Sequence, residues 1–221
     1  MRSKYTITFL SDWQIASGLG DGYLADSQLC RDASGLFYLP GRAVKGALRE
    51  GAHRLALARP DLALYESLFF GSRSKGEGFN KSGALTVSSA YLPKDLLMAL
   101  KGVSPAERAQ SLRDLTLLRS QTALENGTAK NASLRTMECG IAGTSFEGTV
   151  EVSAYAFEAG GYPCPDEAWL AQYMNAVCAA AKSMGSGRSR GLGVCRITLE
   201  RSGSQPASLP APLPETMARR A

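Results

Sequence analysis

The segment Tyr38–Glu50 (YLPGRAVKGALRE) changes abruptly from an extended pattern to a helical one. Pro40 and Gly41 mark the change, because proline and glycine interrupt regular structure more strongly than other residues do. Apolar residues after Gly41 then recur at helical spacing, which predicts an amphipathic helix that continues to about Ala58. A helix therefore starts directly at the end of an extended segment, and the rest of the chain is arranged around this junction.

Three cations, Arg42, Lys45 and Arg49, lie along one face of this predicted helix, because residues three or four apart are neighbours on a helix surface. The unpaired N–H groups and the dipole of a helix N-terminus favour anions such as phosphate. Gly41 and Gly46 have no Cβ, so a ligand backbone could approach them closely. The pattern indicates a phosphate-binding helix start, and an ordinary helix with a solvated basic face is the alternative.

Composition excludes several other kinds of site. The net charge of +5 and the pI near 9.0 favour a polyanionic partner only if the cations are clustered. Ala47 and Leu48 stand where a Walker A loop has Lys and Ser or Thr. The five cysteines lack C-x-x-C spacing, and His53 is the single histidine, so neither residue type indicates a metal cluster. Without a signal peptide or a long apolar run, we expect a cytoplasmic protein with no membrane partner.

Strand and helix patterns alternate along the rest of the chain. Strands are predicted at 5–10, 84–92, 146–157 and 194–200, and the two main helices at 41–58 and from 166 to about 182. This order predicts an α+β fold of the modified ferredoxin-like (RRM-type) β-α-β-β-α-β class, with two helices on one face of an antiparallel sheet. Short helices are also predicted at 61–70 and, from the capping box of Ser104 and Glu107, at 104–117.

The chain is expected to form a single domain over residues 1–200. The polar, Gly-rich segment at about 71–83 predicts a mobile loop within it. Residues 118–137 are polar and basic, and no core-forming period runs through them. Residues 201–221 contain four prolines and predict a flexible tail.

A second Gly-rich basic segment, Met184–Val194 (MGSGRSRGLGV), joins the last predicted helix to the last strand. It contains Ser186, Arg188 and Arg190 between its glycines. In a ferredoxin-like fold such a loop can lie near the start of the first helix. Two Gly-rich basic segments meeting there would form a surface suited to a nucleic-acid backbone, and a flexible linker is the alternative.

Four acidic residues, Asp12, Asp21, Asp26 and Asp32, lie in or beside the long first connection at residues 11–37. A loop carboxylate beside a phosphate-binding face could bind a divalent metal or orient a 2′-hydroxyl for attack on a phosphodiester. Solvated loop acids are the alternative, and residue type alone does not choose among the four.

The segment at residues 26–50, DSQLCRDASGLFYLPGRAVKGALRE, resembles the opening motif of the RAMP superfamily of CRISPR-associated proteins. It is most similar to the backbone subunits of type III effector complexes, whose IPG-x-x-x-KG-x-LR helix start is matched by Leu39–Arg49. SGALTVSSAYLP resembles the family's second strand, and TALENGTAKNASLRTMECGIAGTSFEGTV its thumb hairpin and third strand. GSGRSRGLGV matches its Gly-rich loop, so the likeness covers most of residues 5–200.

The resemblance implies a ferredoxin-like palm with a thumb inserted at about 118–137. Copies of the chain would stack as a filament along a CRISPR RNA, together with other effector subunits. The palm would hold the guide phosphates, and each thumb would wedge into the guide–target duplex and displace a nucleotide. The residues expected to contact RNA are Arg42, Lys45, Arg49, Arg119, Lys130, Arg135, Ser186, Arg188 and Arg190.

The resemblance also implies an endoribonuclease activity. Asp26 precedes Arg31 and Asp32 as the catalytic aspartate does in cleaving members, with Mg²⁺ or Mn²⁺ bound there, whereas Asp32 matches a structural aspartate. A displaced nucleotide lets its 2′-oxygen align with phosphorus, which would give a 2′,3′-cyclic phosphate. The glycine run before Asp26 is shorter than is common in the family. A non-catalytic guide-binding subunit is the alternative, and a stand-alone guide-processing endonuclease is a third, which His53 is poorly placed to serve.

Overall fold

The computed structural model of the chain describes residues 1–18, 25–71, 82–131, 133–159 and 161–200. Most of the loop predicted to be mobile at 71–83, the predicted tail at 201–221 and Asp21 lie outside these ranges. Within them, no helix is both long enough and apolar enough to cross a membrane.

Ten strands and six α-helices are found in the described ranges. The strands are β1 Arg2–Phe9, β2 Tyr38–Leu39, β3 Leu85–Val87, β4 Ala90–Tyr91, β5 Thr116–Gln121, β6 Leu124–Glu125, β7 Thr128–Ala129, β8 Arg135–Gly140, β9 Ser145–Val152 and β10 Cys195–Leu199. The helices are α1 Gly41–Ala58, α2 Ala63–Phe70, α3 Lys94–Gly102, α4 Pro105–Asp114, α5 Ala154–Ala159 and α6 Glu167–Ala180. Short 3₁₀ turns occur at Pro60–Leu62 and Arg188–Arg190.

Six of the strands form one antiparallel sheet in the order β10-β1-β9-β4-β2, with β3 also paired to β9. The four strands predicted from the sequence correspond to β1, to β3 with β4, to β9 and to β10. The first and third of these are central, and α1 and α6 lie between consecutive members of the set. The arrangement confirms the predicted α+β, ferredoxin-like fold.

The inner face of the sheet is apolar, because alternate residues of each strand point to the same side. On β1, Tyr5, Ile7 and Phe9 are buried in this way. α1 and α6 cover this face and approach each other at Gly51, where a Cβ would overlap the carbonyl oxygen of Val177. Packing between the two helices therefore requires glycine at position 51.

The outer face of the central strands is polar. No aromatic side chain takes an outward position on β1, β9 or β10, each of which the structure describes in full. The outward residues include Thr6 and Thr8 of β1, Glu147 and Thr149 of β9, and Arg196 and Thr198 of β10.

β5 and β8 form an antiparallel ribbon outside the main sheet, in register from Thr116 opposite Gly140 to Gln121 opposite Arg135. The short strands β6 and β7 continue it to a two-residue turn at Asn126 and Gly127, which have φ angles of 51° and 80°. Asn-Gly with positive φ at both residues is the favoured two-residue hairpin turn. We call residues 116–140 the thumb, and it is the hairpin that the fold prediction includes.

The first connection, which has no sustained period in the sequence, contributes a third chain to the thumb ribbon. Ser27 forms a parallel bridge with Met137 of β8. The Asp26 N–H donates to the Thr136 carbonyl oxygen at 2.8 Å, and the Glu138 N–H donates to the Ser27 carbonyl oxygen at 2.9 Å. Residues 25–29 are thus held along the thumb, which fixes the place of Asp26.

Two predicted strands differ from those observed. The strand predicted at 84–92 is interrupted at Ser88 and Ser89, where the start of α1 packs. The strand predicted at 146–157 is wrong beyond Val152, because residues 154–159 form α5, whose Phe157 is buried. A short apolar run does not by itself distinguish a strand from a buried helix.

The capping box predicted at the start of α4 is confirmed. The Glu107 N–H donates to Ser104 Oγ at 3.3 Å, and the Ser104 N–H donates to the Glu107 carboxylate at 2.9 Å. The helix ends at Asp114 rather than at 117, since β5 begins two residues later. α3, which precedes α4, was not predicted, although its lysines and leucines are good helix formers.

Candidate nucleic-acid interface

The start of α1 is fixed against the interrupted edge of the sheet. The Gly41 N–H donates to Ser89 Oγ at 3.2 Å, which satisfies one of the orphan donors of the helix N-terminus. A Cβ on Gly41 would overlap the Val87 carbonyl oxygen. Gly41 is therefore required for packing within the chain, and the expectation that it admits a ligand backbone is wrong. A Cβ on Gly46, in contrast, would have no described atom within 4 Å other than those of its chain neighbours and the adjoining backbone of α1.

Two of the predicted phosphate-contacting cations on α1 are bonded within the protein. Lys45 Nζ donates to the Leu85 carbonyl oxygen at 2.6 Å, and Arg49 donates to the Gly71 carbonyl oxygen at 3.0 Å and lies 3.6 Å from the Glu66 carboxylate. Burial, and secondly the charge of Arg49, lower the pKa of the Lys45 ammonium. Both side chains hold α1 against β3 and α2, and their contact with phosphate stays a prediction.

Arg42, Gly46 and His53 form the exposed side of α1, which we call the α1 ridge. Among the described residues, Arg42 has no hydrogen-bond or ion-pair partner. His53 Nδ1 lies 3.0 Å from the Glu66 carboxylate. The α1 ridge thus presents a guanidinium without a partner among the described residues, next to helix backbone that no side chain covers at Gly46.

The Gly-rich loop crosses from α1 to the thumb. Arg188 pairs with Glu50 in the third turn of α1, and Arg190 donates to Gln121 at the end of β5. The Ser186 N–H donates to the Gln14 carbonyl oxygen at 2.9 Å. The loop therefore contacts the middle of α1 at Glu50, whereas the sequence allowed a position near the helix start.

The thumb cations differ in how far they are engaged. Arg119 donates to Asp12 at 2.7 Å, and Lys130 lies 3.8 Å from Glu125. Arg135 is exposed and has no partner within the part of the chain that the structure describes. Arg119 and Gln121, the partner of Arg190, point to the same side of β5 because they are two residues apart.

Asp26 is exposed and lies directly beside β8. The Thr136 N–H donates to Asp26 Oδ2 at 2.7 Å, while Oδ1 accepts no hydrogen bond from any described residue. Asp12 accepts from Arg119 with one oxygen and from the Ala142 N–H, at 3.2 Å, with the other.

Asp32, unlike Asp26, closes a local turn. Its Oδ1 accepts the N–H groups of Ser34 and Leu36, at 2.8 and 3.0 Å. Such side-chain turns are a common structural role of aspartate. The geometry agrees with the structural role that the sequence resemblance implies for Asp32, whereas Asp26 presents a carboxylate oxygen to solvent at the thumb.

An ion pair that sequence reasoning missed joins the first connection to the thumb. The Arg31 guanidinium binds both carboxylate oxygens of Glu138, one of them at 2.9 Å, and packs over the Phe37 ring at 4.8 Å. The Leu29 N–H donates to the same carboxylate at 3.0 Å. The only sign of this pair in the local sequence is a carboxylate, Glu138, between the less polar Met137 and Cys139. Its partner Arg31 lies 107 residues away.

Membership of a protein family is shown by a match along most of the sequence rather than by a single site. The family model of the RAMP superfamily matches residues 6–196. The chain belongs to the RAMP superfamily. A comparison with curated proteins finds no match for this RAMP chain.

Solved structures with the same RAMP fold belong to CRISPR complexes. One chain of a type III-B Cmr-beta structure in the apo state has 10% identity and a TM-score of 0.63, over 91% of this chain and 98% of that one. A chain of type III-B Cmr-beta bound to cognate target RNA has 10% identity and a TM-score of 0.65, over 90% and 97%. A chain of a type IV-B CRISPR complex has 16% identity and a TM-score of 0.56, over 96% of both.

A metal site in this RAMP chain would have few protein ligands. The described residues contain no group of three His, Cys, Asp or Glu side chains that could hold an ion. Asp26 offers one carboxylate oxygen, since its other oxygen accepts from Thr136. Mg²⁺ is often bound by one or two carboxylates with substrate phosphates completing its shell, so Asp26 fits an ion that is shared with a phosphodiester.

Proposed function

We propose that this RAMP chain is a backbone subunit of a type III CRISPR effector complex, which binds guide RNA, positions target RNA and cleaves it at regular intervals through Asp26. The observation that carries the proposal is the exposed Asp26 carboxylate, held at the thumb by Thr136. Family membership and the fold shared with chains of Cmr-beta complexes support the subunit role.

Guide binding rests on the cations around α1, the Gly-rich loop and the thumb. Neutralising phosphates with arginine and lysine releases counterions, so affinity depends on the number of contacts and on salt. Arg42 and Arg135 are uncommitted within the described residues, while Arg188 and Arg190 make exposed contacts that a phosphate could replace. Phosphate contacts of this kind position RNA but do not read its sequence.

Replacing Arg42 with Gln is expected to weaken guide-RNA binding severalfold and to lower the salt slope of log K by about 0.7 to 0.9. The loss of one phosphate contact is the reason. Binding would be measured by filter retention or fluorescence anisotropy across a salt series. Arg59→Gln is the matched control, because Arg59 is already paired with Asp61 at 2.6 Å on the 3₁₀ turn beyond α1. Equal salt slopes for the two variants would remove Arg42 from the interface.

Replacing Gly46 with Ala separates folding from RNA binding. An exposed glycine inside a helix costs about 0.5–1 kcal/mol relative to alanine, so the variant is expected to unfold at a higher temperature. A methyl group on the α1 ridge would keep an RNA backbone at a distance, and guide affinity is expected to fall about tenfold, or roughly 1.4 kcal/mol. Calorimetry and anisotropy measure the two effects. A stabilised variant with full affinity would show that RNA does not approach Gly46.

Cleavage would use the 2′-hydroxyl of the displaced nucleotide as its nucleophile. Asp26 Oδ1 would accept the proton of this hydroxyl, and the 2′-oxygen would attack the adjacent phosphorus as the 5′-oxygen leaves and takes a proton from solvent water. The products are a 2′,3′-cyclic phosphate and a 5′-hydroxyl. A bound Mg²⁺ or Mn²⁺ would supply charge stabilisation for the phosphorane-like transition state. DNA lacks the nucleophile and would stay whole.

The experiment that tests this function is purification of the assembled complex with its RNA. Guide RNA of defined length should co-purify, and target RNA should be cut at regular intervals in Mg²⁺ or Mn²⁺ to products that end in 2′,3′-cyclic phosphate. RNA-free monomer would count against the whole proposal. A monomer that cuts repeat RNA in EDTA would point to the guide-processing alternative.

A non-catalytic backbone subunit is the second candidate function. It is favoured by the hydrogen bond from Thr136 to Asp26, since a carboxylate that caps a strand has a structural role without any chemistry. The type IV-B chain, whose fold matches with the highest of the three identities, belongs to a different class of CRISPR complex. In this case the wild-type complex would bind target RNA in Mg²⁺ or Mn²⁺ and leave it whole.

A further inference from the structure

We propose that the Arg31–Glu138 ion pair is a positioning element that sets the Asp26 carboxylate relative to the thumb. The proposal rests on the proposed cleavage by Asp26, and it assigns to Arg31 and Glu138 a role in the rate of that reaction. Neither side chain touches the reacting atoms.

Glu138 is an unusual residue for the base of a hairpin, because it is a carboxylate with only 9% of its surface exposed. Its charge is matched by the Arg31 guanidinium, which binds both oxygens, and the Leu29 N–H completes the set of donors. The Phe37 ring lies against a face of the guanidinium, with 4.8 Å between the ring centroid and Arg31 Cζ. Two-point binding of a planar group fixes direction as well as distance.

The same strand holds Asp26 at one end of the segment and the ion pair at the other. Thr136 and Glu138 are two residues apart on β8 and therefore on one side of it. Thr136 exchanges two hydrogen bonds with Asp26, and Glu138 binds Leu29 and Arg31. The segment cannot slide along the thumb without breaking both ends.

The opposite side of the segment is held by the palm. Gln14, which is 3% exposed, donates from Nε2 to Ser27 Oγ at 2.8 Å. The Gln14 carbonyl oxygen also accepts the Ser186 N–H of the Gly-rich loop. Residues 25–29, and with them Asp26, are thus held by contacts to the thumb on one side and to Gln14, beside the Gly-rich loop, on the other. Among these contacts, the Arg31–Glu138 ion pair is the one between two charged groups.

Loss of the pair should slow cleavage without loosening target RNA. Misplacement of a reacting group by about 1 Å can cost about 100-fold in rate. Glu138→Gln keeps an oxygen for the Leu29 N–H but loses the charge that holds Arg31. The expected result is a single-turnover cleavage rate that is about 10- to 100-fold lower at saturating target RNA, with a target Kd within about twofold of wild type.

The experiment uses the assembled complex with guide RNA and three variants. They are Glu138→Gln, the milder Arg31→Lys, and the charge-free double variant Arg31→Met/Glu138→Gln. Glu200→Gln is the control, because Glu200 forms an exposed pair with Lys4 at 3.3 Å on β1. Cleavage rate, target Kd, thermal midpoint and hydrogen exchange of the Asp26 and Leu29 amides are measured for each.

The proposal expects slower cleavage and faster exchange at both amides in all three variants, with Arg31→Lys intermediate because it keeps the charge but not the fork. Arg31 is partly exposed and Glu138 is nearly buried, so the double variant removes the buried carboxylate together with its partner and leaves no charge unpaired. It should therefore regain the thermal stability that Glu138→Gln loses, and still cleave slowly. Recovery of the cleavage rate together with stability would overturn the proposal and leave the pair a structural role. Unchanged exchange in Glu138→Gln would also overturn it. If the wild-type complex does not cleave target RNA but the variants still change amide exchange at Asp26 and Leu29, the proposed cleavage is refuted. The positioning of Asp26 by the ion pair is not.

Discussion

Replacing Asp26 with Asn in the assembled complex is expected to lower the rate of target-RNA cleavage by about 10²–10⁴-fold, the range supplied by a positioned acid–base group. Asparagine keeps an oxygen that can accept the Thr136 N–H, so the segment should stay on β8. The variant loses only the negative charge that would activate the 2′-hydroxyl or hold a metal ion. Target RNA should bind with unchanged affinity.

Two further variants make this result specific to the charge of Asp26. Asp26→Ala removes both the charge and the acceptor for Thr136, so it should also loosen the thumb base. Asp32→Asn is the matched control, because asparagine forms the same side-chain turn to Ser34 and Leu36. Cleavage by Asp26→Asn at the rate of Asp32→Asn would show that Asp26 only caps β8, and the non-catalytic function would then stand.

Replacing Gly193 with Ala is expected to have the largest effect on folding. Gly193 has a φ of 72°, which costs an L-residue about 1–2 kcal/mol. A Cβ at this position would also overlap the Met184 carbonyl oxygen across the neck of the Gly-rich loop. The two atoms would be much closer than 3.0 Å, a separation below which Cβ contacts are essentially never observed. Overpacking adds about 1–3 kcal/mol, so the free energy of unfolding should fall by roughly 2–5 kcal/mol in total.

Gly191→Ala is the control that isolates the steric part of this loss. Gly191 has a similar φ of 79°, but a Cβ there would have nothing within 4 Å. Its replacement should cost only the conformational term of about 1–2 kcal/mol. Urea unfolding of both variants measures the difference. Equal losses of unfolding free energy in the two variants would mean that Met184 and residue 193 can move apart with no energetic cost. The Gly-rich loop would then not be a rigid part of the RNA surface.

Patterns of short range were sufficient to predict most of the fold. The helical spacing after Gly41 gave α1 with its bounds, and the capping box at Ser104 and Glu107 placed the start of α4. The alternation at residues 146–152 gave β9, but it could not show that Ser153 ends the strand. These signals depend on residues within a few positions of each other, which is why they can be seen in the sequence.

The functional surface depends on contacts between distant residues, and these could not be predicted. Periodicity places Lys45 and Arg49 on one helical face, but only the fold puts a carbonyl oxygen of β3 and that of Gly71, just after α2, within their reach. Asp26 could be selected only by resemblance, since its partner Thr136 is 110 residues away. The Arg31–Glu138 pair gives no periodic signal at all.

The polar outer face of the sheet has a practical consequence. RRM domains stack bases on aromatic residues of this face, whereas the outward residues of β1, β9 and β10, such as Thr6 and Thr198, offer no such platform. The outward aromatic pair, Tyr38 and Tyr91, lies on β2 and β4 at the other side of the sheet. A fluorophore on a cysteine introduced at Thr198 would lie on the face of the sheet opposite the α1 ridge. Four of the native cysteines are buried and Cys164 is half-buried, and burial raises the thiol pKa of each, so the new thiol should react first. A fluorophore on the outer face of the sheet could thus be used to follow assembly of the complex.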